Sequence, residues 1–139
     1  MQNTDDIPMT MWLSNSSDPL VRKRILRTMP DKRVVFEAMW GERRVVAKVF
    51  FKKHQAKCEV QGALLLQDVD VNTPELLYRG WAARLPFYVL IYDAIEDSED
   101  LDTAWWTGIQ KTRVAILKEV ITTLARLHNA GIYQKDIHL

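Results

Sequence analysis

The chain has 139 residues, of which 47% are hydrophobic and 27% charged, and its 19 Lys and Arg residues nearly balance its 18 Asp and Glu residues. This composition is typical of a globular protein and excludes collagen-like, mucin-like and wholly disordered chains. The net charge of +1 gives no general argument for a nucleic-acid or membrane partner, and no apolar run approaches the roughly 20 residues that span a bilayer.

Cysteine usage and the amino terminus indicate the compartment. Cys58 is the only cysteine, so no intrachain disulfide can form, and no group of Cys and His residues has the spacing of a zinc site. The first residues include Asp5 and Asp6 and lack a basic start followed by an apolar stretch, so no secretory signal peptide is predicted. These features predict a reducing, cytoplasmic location.

The amino-terminal third begins with a polar segment and contains a basic run. Residues 1–19 show no sustained periodicity and are predicted to be a tail or a short capping segment. Residues 21–33 are basic, and residues 93–102 are correspondingly acidic. The simpler interpretation of each run is a solvated face or loop; the alternatives are a basic edge facing phosphate or a membrane, and an acidic linker facing a cation.

Strand signals follow one another along the first two thirds of the chain. The first begins at Leu20 and stops at the breaker Pro30. Residues 34–40 and 43–51 are rich in strand formers and flank a short turn containing Gly41, a pattern that predicts a β-hairpin. Residues 76–81 and 85–92 predict two further strands.

Two segments have helical character. Residues 54–67 contain mostly helix formers and carry Glu59. Between residues 105 and 130, apolar side chains recur at three- and four-residue spacings and predict one long amphipathic helix, with Gly131 as its stop. A loop that carries Asp136 then follows.

Lys48 lies within a strongly apolar strand and therefore needs a partner, because an unpaired ammonium away from water is costly. Glu59, on the helix that follows directly, is the nearest candidate, and an ion pair between them is predicted. Alternation along the strand places Val46, Lys48 and Phe50 on one face. An adenine ring over Val46 with its phosphates at Lys48 would use both features.

The order of these elements and a few motifs resemble the protein-kinase-like fold over residues 20–139. The resemblance is carried by Val46-Ala47-Lys48, by the helical Glu59, by the strand and linker near Tyr92, and above all by Leu127-His128-Asn129-Ala130-Gly131-Ile132-Tyr133-Gln134-Lys135-Asp136-Ile137. The short spacing from Lys48 to Glu59 and the segment before Asp136 are most similar to the bacterial lipopolysaccharide kinase (Kdo kinase) family.

The resemblance implies an α+β fold. An antiparallel-sheet N-lobe with one helix is followed by the start of a helical C-lobe. It divides the chain into an N-terminal tail (1–19), an ATP-binding N-lobe (20–92), a hinge and acidic linker (93–103) and the beginning of the C-lobe (104–139).

The resemblance also implies residue roles. Lys48 contacts the α- and β-phosphates of ATP, Glu59 holds Lys48, and Val46 covers the adenine. The backbone of Asp93 and Ala94 forms the hinge that contacts the adenine edge, with Tyr92 as the neighbouring alternative.

Asp136 is implied as the catalytic base that receives the proton of the acceptor hydroxyl. The chain ends three residues later, so the magnesium ligands are expected beyond Leu139, no metal ligand is assigned within the chain, and the truncated chain is expected to be inactive in transfer.

Two departures from the family pattern stand out. Residues 27–33, where the loop over the phosphates is expected, contain no glycine, and the side chain of Lys32 or Arg33 is a possible substitute. Gln134 and Lys135 replace the His-Arg that precedes the catalytic Asp in protein kinases.

The sequence therefore predicts an ATP-dependent phosphotransferase whose acceptor is a sugar or lipopolysaccharide-core hydroxyl. Its predicted partners are ATP and this carbohydrate acceptor, without nucleic acid, and with peripheral association at the inner membrane; the oligomeric state is left open. Two alternatives remain at this stage: a non-catalytic pseudokinase-type binding module, and a small-molecule kinase of the aminoglycoside or choline type.

Overall fold

The computed structural model describes residues 2–69, 71–95 and 101–133. After a short 3-10 helix over Thr4–Asp6, the elements in chain order are β1 (Thr10–Trp12), β2 (Pro19–Met29), β3 (Arg33–Trp40), β4 (Arg43–Phe50), α1 (Lys53–Gln67), β5 (Leu76–Trp81), β6 (Tyr88–Asp93), α2 (Leu101–Thr107) and α3 (Gln110–Asn129). The chain forms two compact units, one of Met1–Ala63 with Pro74–Ala94 and one of Leu64–Thr73 with Ile95–Leu139.

The first unit is built on one antiparallel sheet, in which the described strands have the order β1-β2-β3-β4-β6-β5. The sheet curls until its two outer strands meet. Leu13, just after β1, pairs with Ala82, just after β5, and the amide of Ala83 donates to the carbonyl of Trp12 at 2.7 Å. The edges of the sheet are thereby joined at this end, which satisfies backbone groups that an open edge leaves unpaired.

The curled sheet encloses the main core, and alternation along the strands decides which side chains enter it. On β4, Val45, Ala47 and Val49 point inward and are fully buried. The remaining members of this core are Ile7, Met11, Leu13, Leu20, Val34, Phe36, Ala38, Phe51, Ala82, Phe87, Val89 and Ile91.

Helix α1 packs on the outer face of the sheet. Ala56 and Val60 of the helix bury Phe50 of β4 and Leu90 of β6 in a second, smaller cluster. The helix predicted over residues 54–67 is confirmed, and its position sets which of its side chains face the sheet.

The predicted hairpin is also confirmed, since β3 and β4 pair antiparallel from Arg33–Phe50 to Trp40–Arg43. Its turn needs glycine at Gly41, where φ is +61°. A Cβ at this position would lie 3.0 Å from Cγ of Asp18. A larger residue would therefore be destabilising through both its backbone conformation and this close contact.

Residues 1–19, predicted to be a tail or a short capping segment, contribute a strand and core side chains to the sheet. Strand β1 lies in this segment and pairs with β2, and Ile7, Met11 and Leu13 are at most 3% exposed within the core. The three residues of β1 are too few for their alternation to be recognised in the sequence. Their strand conformation becomes evident through the pairing with β2.

The structure corrects the single long helix predicted over residues 105–130. The segment contains two helices: α2, which begins at Leu101 inside the predicted acidic linker, and α3. The chain leaves the helical path at Gly108 and Ile109, and Ile109 becomes the N-cap of α3. Arg113 joins the two helices by donating from Nε to the carbonyl of Trp105 at 2.9 Å.

The predicted stop at Gly131 is confirmed. Its φ is +78°, its amide donates to His128 O at 3.0 Å, and the Ile132 amide donates to Leu127 O at 2.8 Å, as in a glycine-terminated helix. None of the helices described is both long and apolar enough to cross a membrane.

Candidate functional site

The outer face of the sheet beside α1 carries the residues that the sequence singled out. In the strand register, Lys48 lies opposite Leu90 of β6 and Val35 of β3, and Val46 lies opposite Tyr92 and Glu37. Since directly paired residues share a face, Val46 and Lys48 form one row with Phe50, as the alternation predicted.

Lys48 and Glu59 form the predicted ion pair through Nζ and Oε1. Both side chains are largely shielded, at 28% and 22% exposure. The geometry follows from the packing of α1, because Glu59 stands three residues after Ala56 and so lies on the helix face that meets the sheet. The charged pair is therefore a direct product of the apolar contact beneath it.

Tyr92 contacts both members of this pair. The sequence analysis considered Tyr92 only as a neighbour of the hinge. Its hydroxyl donates to Oε1 of Glu59 at 3.4 Å, and its ring centroid lies 5.2 Å from Nζ of Lys48, within the range of a cation–π contact. Burial, and then the Glu59 carboxylate, raise the pKa of Tyr92, while the charge of Arg33 acts in the opposite direction. The phenol therefore remains protonated at neutral pH and acts as a donor.

The backbone amides of the two predicted hinge residues, Asp93 and Ala94, differ in their hydrogen bonding. The amide of Asp93 donates to the carbonyl of Glu75 at 2.9 Å, and its carboxylate pairs with Arg43 at 3.2 Å, so this amide is not available to a ligand. The amide of Ala94 forms no hydrogen bond within the part of the chain that the structure describes. Of these two amides, only that of Ala94 has no hydrogen-bond acceptor among the described residues.

The β2–β3 turn stands where the resemblance places the loop over the phosphates. Its Asp31 has a φ of +60°, and its amide donates to Gln2 O at 2.8 Å. The backbone N–H of Gln2 in turn donates to Oδ1 of Asp31 at 2.6 Å, and Nε2 of Gln55 donates to the Asp31 carbonyl at 3.1 Å. The amino-terminal segment and α1 thus hold this turn in place.

Asp136 falls outside the described residues. Across residues 2–69, 71–95 and 101–133, no three His, Cys, Asp or Glu side chains are placed to hold a metal ion.

Comparison with known proteins identifies the architecture. No protein-family model and no curated protein matches the chain. Among solved structures, 28 chains match, including one described as "Structure of vaccinia related kinase 3", with a TM-score of 0.58 and 12% sequence identity. The match covers 89% of this chain and 43% of the kinase chain, so the present chain spans less than half the length of that protein.

The chain has a protein-kinase-like fold. The curled antiparallel sheet with α1 on its outer face matches the predicted N-lobe, and the predicted fold class is confirmed. At 12% identity the likeness extends to the fold alone.

Proposed function

We propose that the chain is the nucleotide-binding part of an ATP-dependent phosphotransferase. The observation that carries the proposal is the Lys48–Glu59 pair, held on the outer sheet face of a kinase-like fold beside Val46. Lys48 contacts the α- and β-phosphates, Glu59 fixes its position, and Val46 covers the adenine. Residues 20–92 form the nucleotide-binding lobe, to which β1 adds a strand.

The residues present suit a nucleotide. The Lys48 ammonium is a compact positive charge of the kind that binds phosphate. The half-buried Val46 lies two residues before Lys48 on the same strand face and offers an apolar surface for the base. The amide of Ala94, which has no acceptor among the described residues, follows directly after β6 and supplies a donor for the base. Magnesium, when bound, would neutralise charge on the β- and γ-phosphates; the described residues provide no ligand set for it.

The chemical step is assigned to Asp136, which accepts the proton of the acceptor hydroxyl as that oxygen attacks the γ-phosphorus; the bond from this phosphorus to the β–γ bridging oxygen breaks, and ADP leaves. The proposed acceptor is a sugar or lipopolysaccharide-core hydroxyl, at the cytoplasmic side of the inner membrane. Support for this acceptor comes from the short spacing between Lys48 and Glu59 and from the sequence of residues 133–136, both of which are similar to the lipopolysaccharide kinase family.

A second candidate, a binding module of the pseudokinase type, is favoured by one observation. The β2–β3 turn lacks glycine, and the amides of Asp31 and Lys32 are already bonded to Gln2 and Met29. A turn of this kind does not provide the backbone donors that commonly surround phosphates.

Equilibrium binding of ATP to the chain, measured by calorimetry, tests the shared part of both candidates. Lys48→Met is expected to weaken ATP binding by about tenfold or more, because it removes a charged phosphate contact. Lys57→Met, which changes an exposed lysine of α1, the helix that carries Glu59, is the control and is expected to stay within about twofold of the wild type.

Two results would count against nucleotide binding at this face: no ATP binding by the wild type, or equal binding by Lys48→Met with its fold verified by circular dichroism. Phosphate transfer from ATP to sugar or lipopolysaccharide-core acceptors, by an active polypeptide that contains the chain, separates the enzyme from the binding module.

A further inference from the structure

Arg33 is a half-buried cation at the first position of β3. Its Cζ lies 5.9 Å from the centroid of the Phe50 ring, and its Nε is buried and forms no hydrogen bond. Among the described residues it forms no ion pair. Taking part of a guanidinium out of water without a hydrogen-bonding partner is unfavourable, so the position is one that an anion would stabilise.

Three neighbouring cations on this side of the sheet are already compensated. Arg24 pairs with Glu37 at 2.8 Å, Arg44 contacts the same carboxylate at 3.5 Å, and Lys48 pairs with Glu59. A nucleotide polyphosphate carries several negative charges, and the Lys48–Glu59 pair contributes no net positive charge to meet them. Arg33 adds an uncompensated positive charge beside that pair, and its buried Nε has no hydrogen-bond partner among the described residues.

The strand register places Arg33 next to Lys48. Arg33 lies opposite Phe50, and Lys48 precedes Phe50 by two residues on the same strand. The two cations are therefore diagonal neighbours on one sheet face, a relationship that separates backbone positions by about 7–8 Å. Long side chains from such positions can contact successive phosphates of one polyphosphate.

The β2–β3 turn explains why a side chain is needed. The Asp31 amide donates to Gln2 O at 2.8 Å and the Lys32 amide donates to Met29 O at 3.0 Å, so these two amides cannot also serve a phosphate. In place of such backbone donors, a guanidinium offers a planar set of N–H groups that matches phosphate oxygens.

We propose that Arg33 binds the polyphosphate of the nucleotide beside Lys48, as a side-chain substitute for the backbone amides of a glycine-containing turn. This inference rests on the proposed nucleotide-binding function and adds a specific phosphate contact to it.

Calorimetric titrations of the chain with ATP, inorganic tripolyphosphate and adenosine test the proposal. Arg33→Gln is expected to weaken ATP and tripolyphosphate by about tenfold or more and to leave adenosine unchanged, since only the phosphates contact the guanidinium. Arg33→Lys keeps the charge and loses the planar donor set, so its loss is expected to be smaller. This variant also provides the comparison if Arg33→Gln does not fold.

Lys23→Gln is the matched control. Lys23 is an exposed cation of the same basic run, at a bulge of β2 about 15 Å along the strand direction from Arg33. Its removal lowers the net charge by the same amount, and it is expected to leave all three affinities within about twofold of the wild type.

The outcomes separate this inference from the proposed function. If Lys48→Met weakens ATP binding and Arg33→Gln does not, the Arg33 contact is overturned while the nucleotide site stands. If Arg33→Gln weakens tripolyphosphate but ATP binds no more tightly than tripolyphosphate, Arg33 is an anion contact and the nucleotide function fails. Absence of tripolyphosphate binding by the wild type, or equal losses in Lys23→Gln and Arg33→Gln, overturns the inference.

Discussion

Tyr92 donates its hydroxyl to Glu59 Oε1 at 3.4 Å, and this same oxygen pairs with the ammonium of Lys48. One carboxylate thus joins the strand that carries Lys48, the helix that carries Glu59 and the strand that leads into the proposed hinge. The position of the ammonium depends on the tyrosine as well as on the glutamate.

Tyr92→Phe is expected to lower the free energy of unfolding by about 0.5–1.5 kcal/mol, because it removes a half-buried hydrogen bond and keeps the ring. Urea unfolding followed by tryptophan fluorescence measures the change. Tyr88→Phe is the control, since the Tyr88 ring packs against Trp81 and its hydroxyl forms no hydrogen bond within the described residues. Equal losses in both variants would show that the Glu59 contact contributes nothing to stability.

The stability of the protein is expected to fall at alkaline pH through Tyr92. Burial, and then Glu59, raise the pKa of this phenol, so the unfolded chain, with a pKa of about 10, loses the proton first. The stabilisation is complete below this unfolded pKa and is lost as the pH rises from it toward the raised folded value.

Urea unfolding at about pH 8 and about pH 11 tests this expectation. The loss between the two is expected to be smaller in Tyr92→Phe than in the wild type. Tyr78, whose pKa is also raised by burial, remains in both proteins and cancels in the comparison. A loss of the same size in the two proteins would contradict the assignment to Tyr92.

Glu59→Gln is expected to destabilise the protein by about 1–2 kcal/mol, because it leaves the shielded Lys48 ammonium without a counter-ion. Glu37→Gln is a close control. The two glutamates are equally exposed, at 22%, but Glu37 pairs with arginines that are 67% and 52% exposed, so its loss is expected to be below about 1 kcal/mol. Chemical denaturation of both variants provides the comparison, and the reverse order would be inconsistent with a shielded Lys48–Glu59 pair.

Asp136→Asn is expected to lower kcat for phosphoryl transfer by about a hundredfold or more, because the amide cannot accept the proton of the acceptor hydroxyl. The KM for ATP is expected to change little, in contrast to Lys48→Met. Steady-state kinetics of an active polypeptide that contains this chain provides the measurement. Unchanged turnover would remove Asp136 from the chemical step.

Local patterns in the sequence determined the hairpin, α1, the stop at Gly131 and the pairing of Lys48 with Glu59. Each depends on residues close together in the chain. Alternation sets the face of Lys48, helical spacing sets that of Glu59, and the two elements follow one another directly. A lysine in an apolar strand also requires a partner, and this requirement, together with the position of Glu59 on the next element, predicts the pair from the sequence.

The tertiary structure alone decided the roles of β1 and Tyr92, and it favours Arg33 where the sequence left Lys32 and Arg33 as alternatives. Strand β1 is recognisable only through its pairing with β2, and its Leu13 meets Ala82 from the far end of the sheet. The contact between Tyr92 and Glu59 spans 33 residues and depends on the cross-strand register of β4 and β6. Such register is set by the packing of the whole sheet and not by local periodicity. The sequence could therefore identify the charged pair and the choice between Lys32 and Arg33, but not the contact of Tyr92 with Glu59.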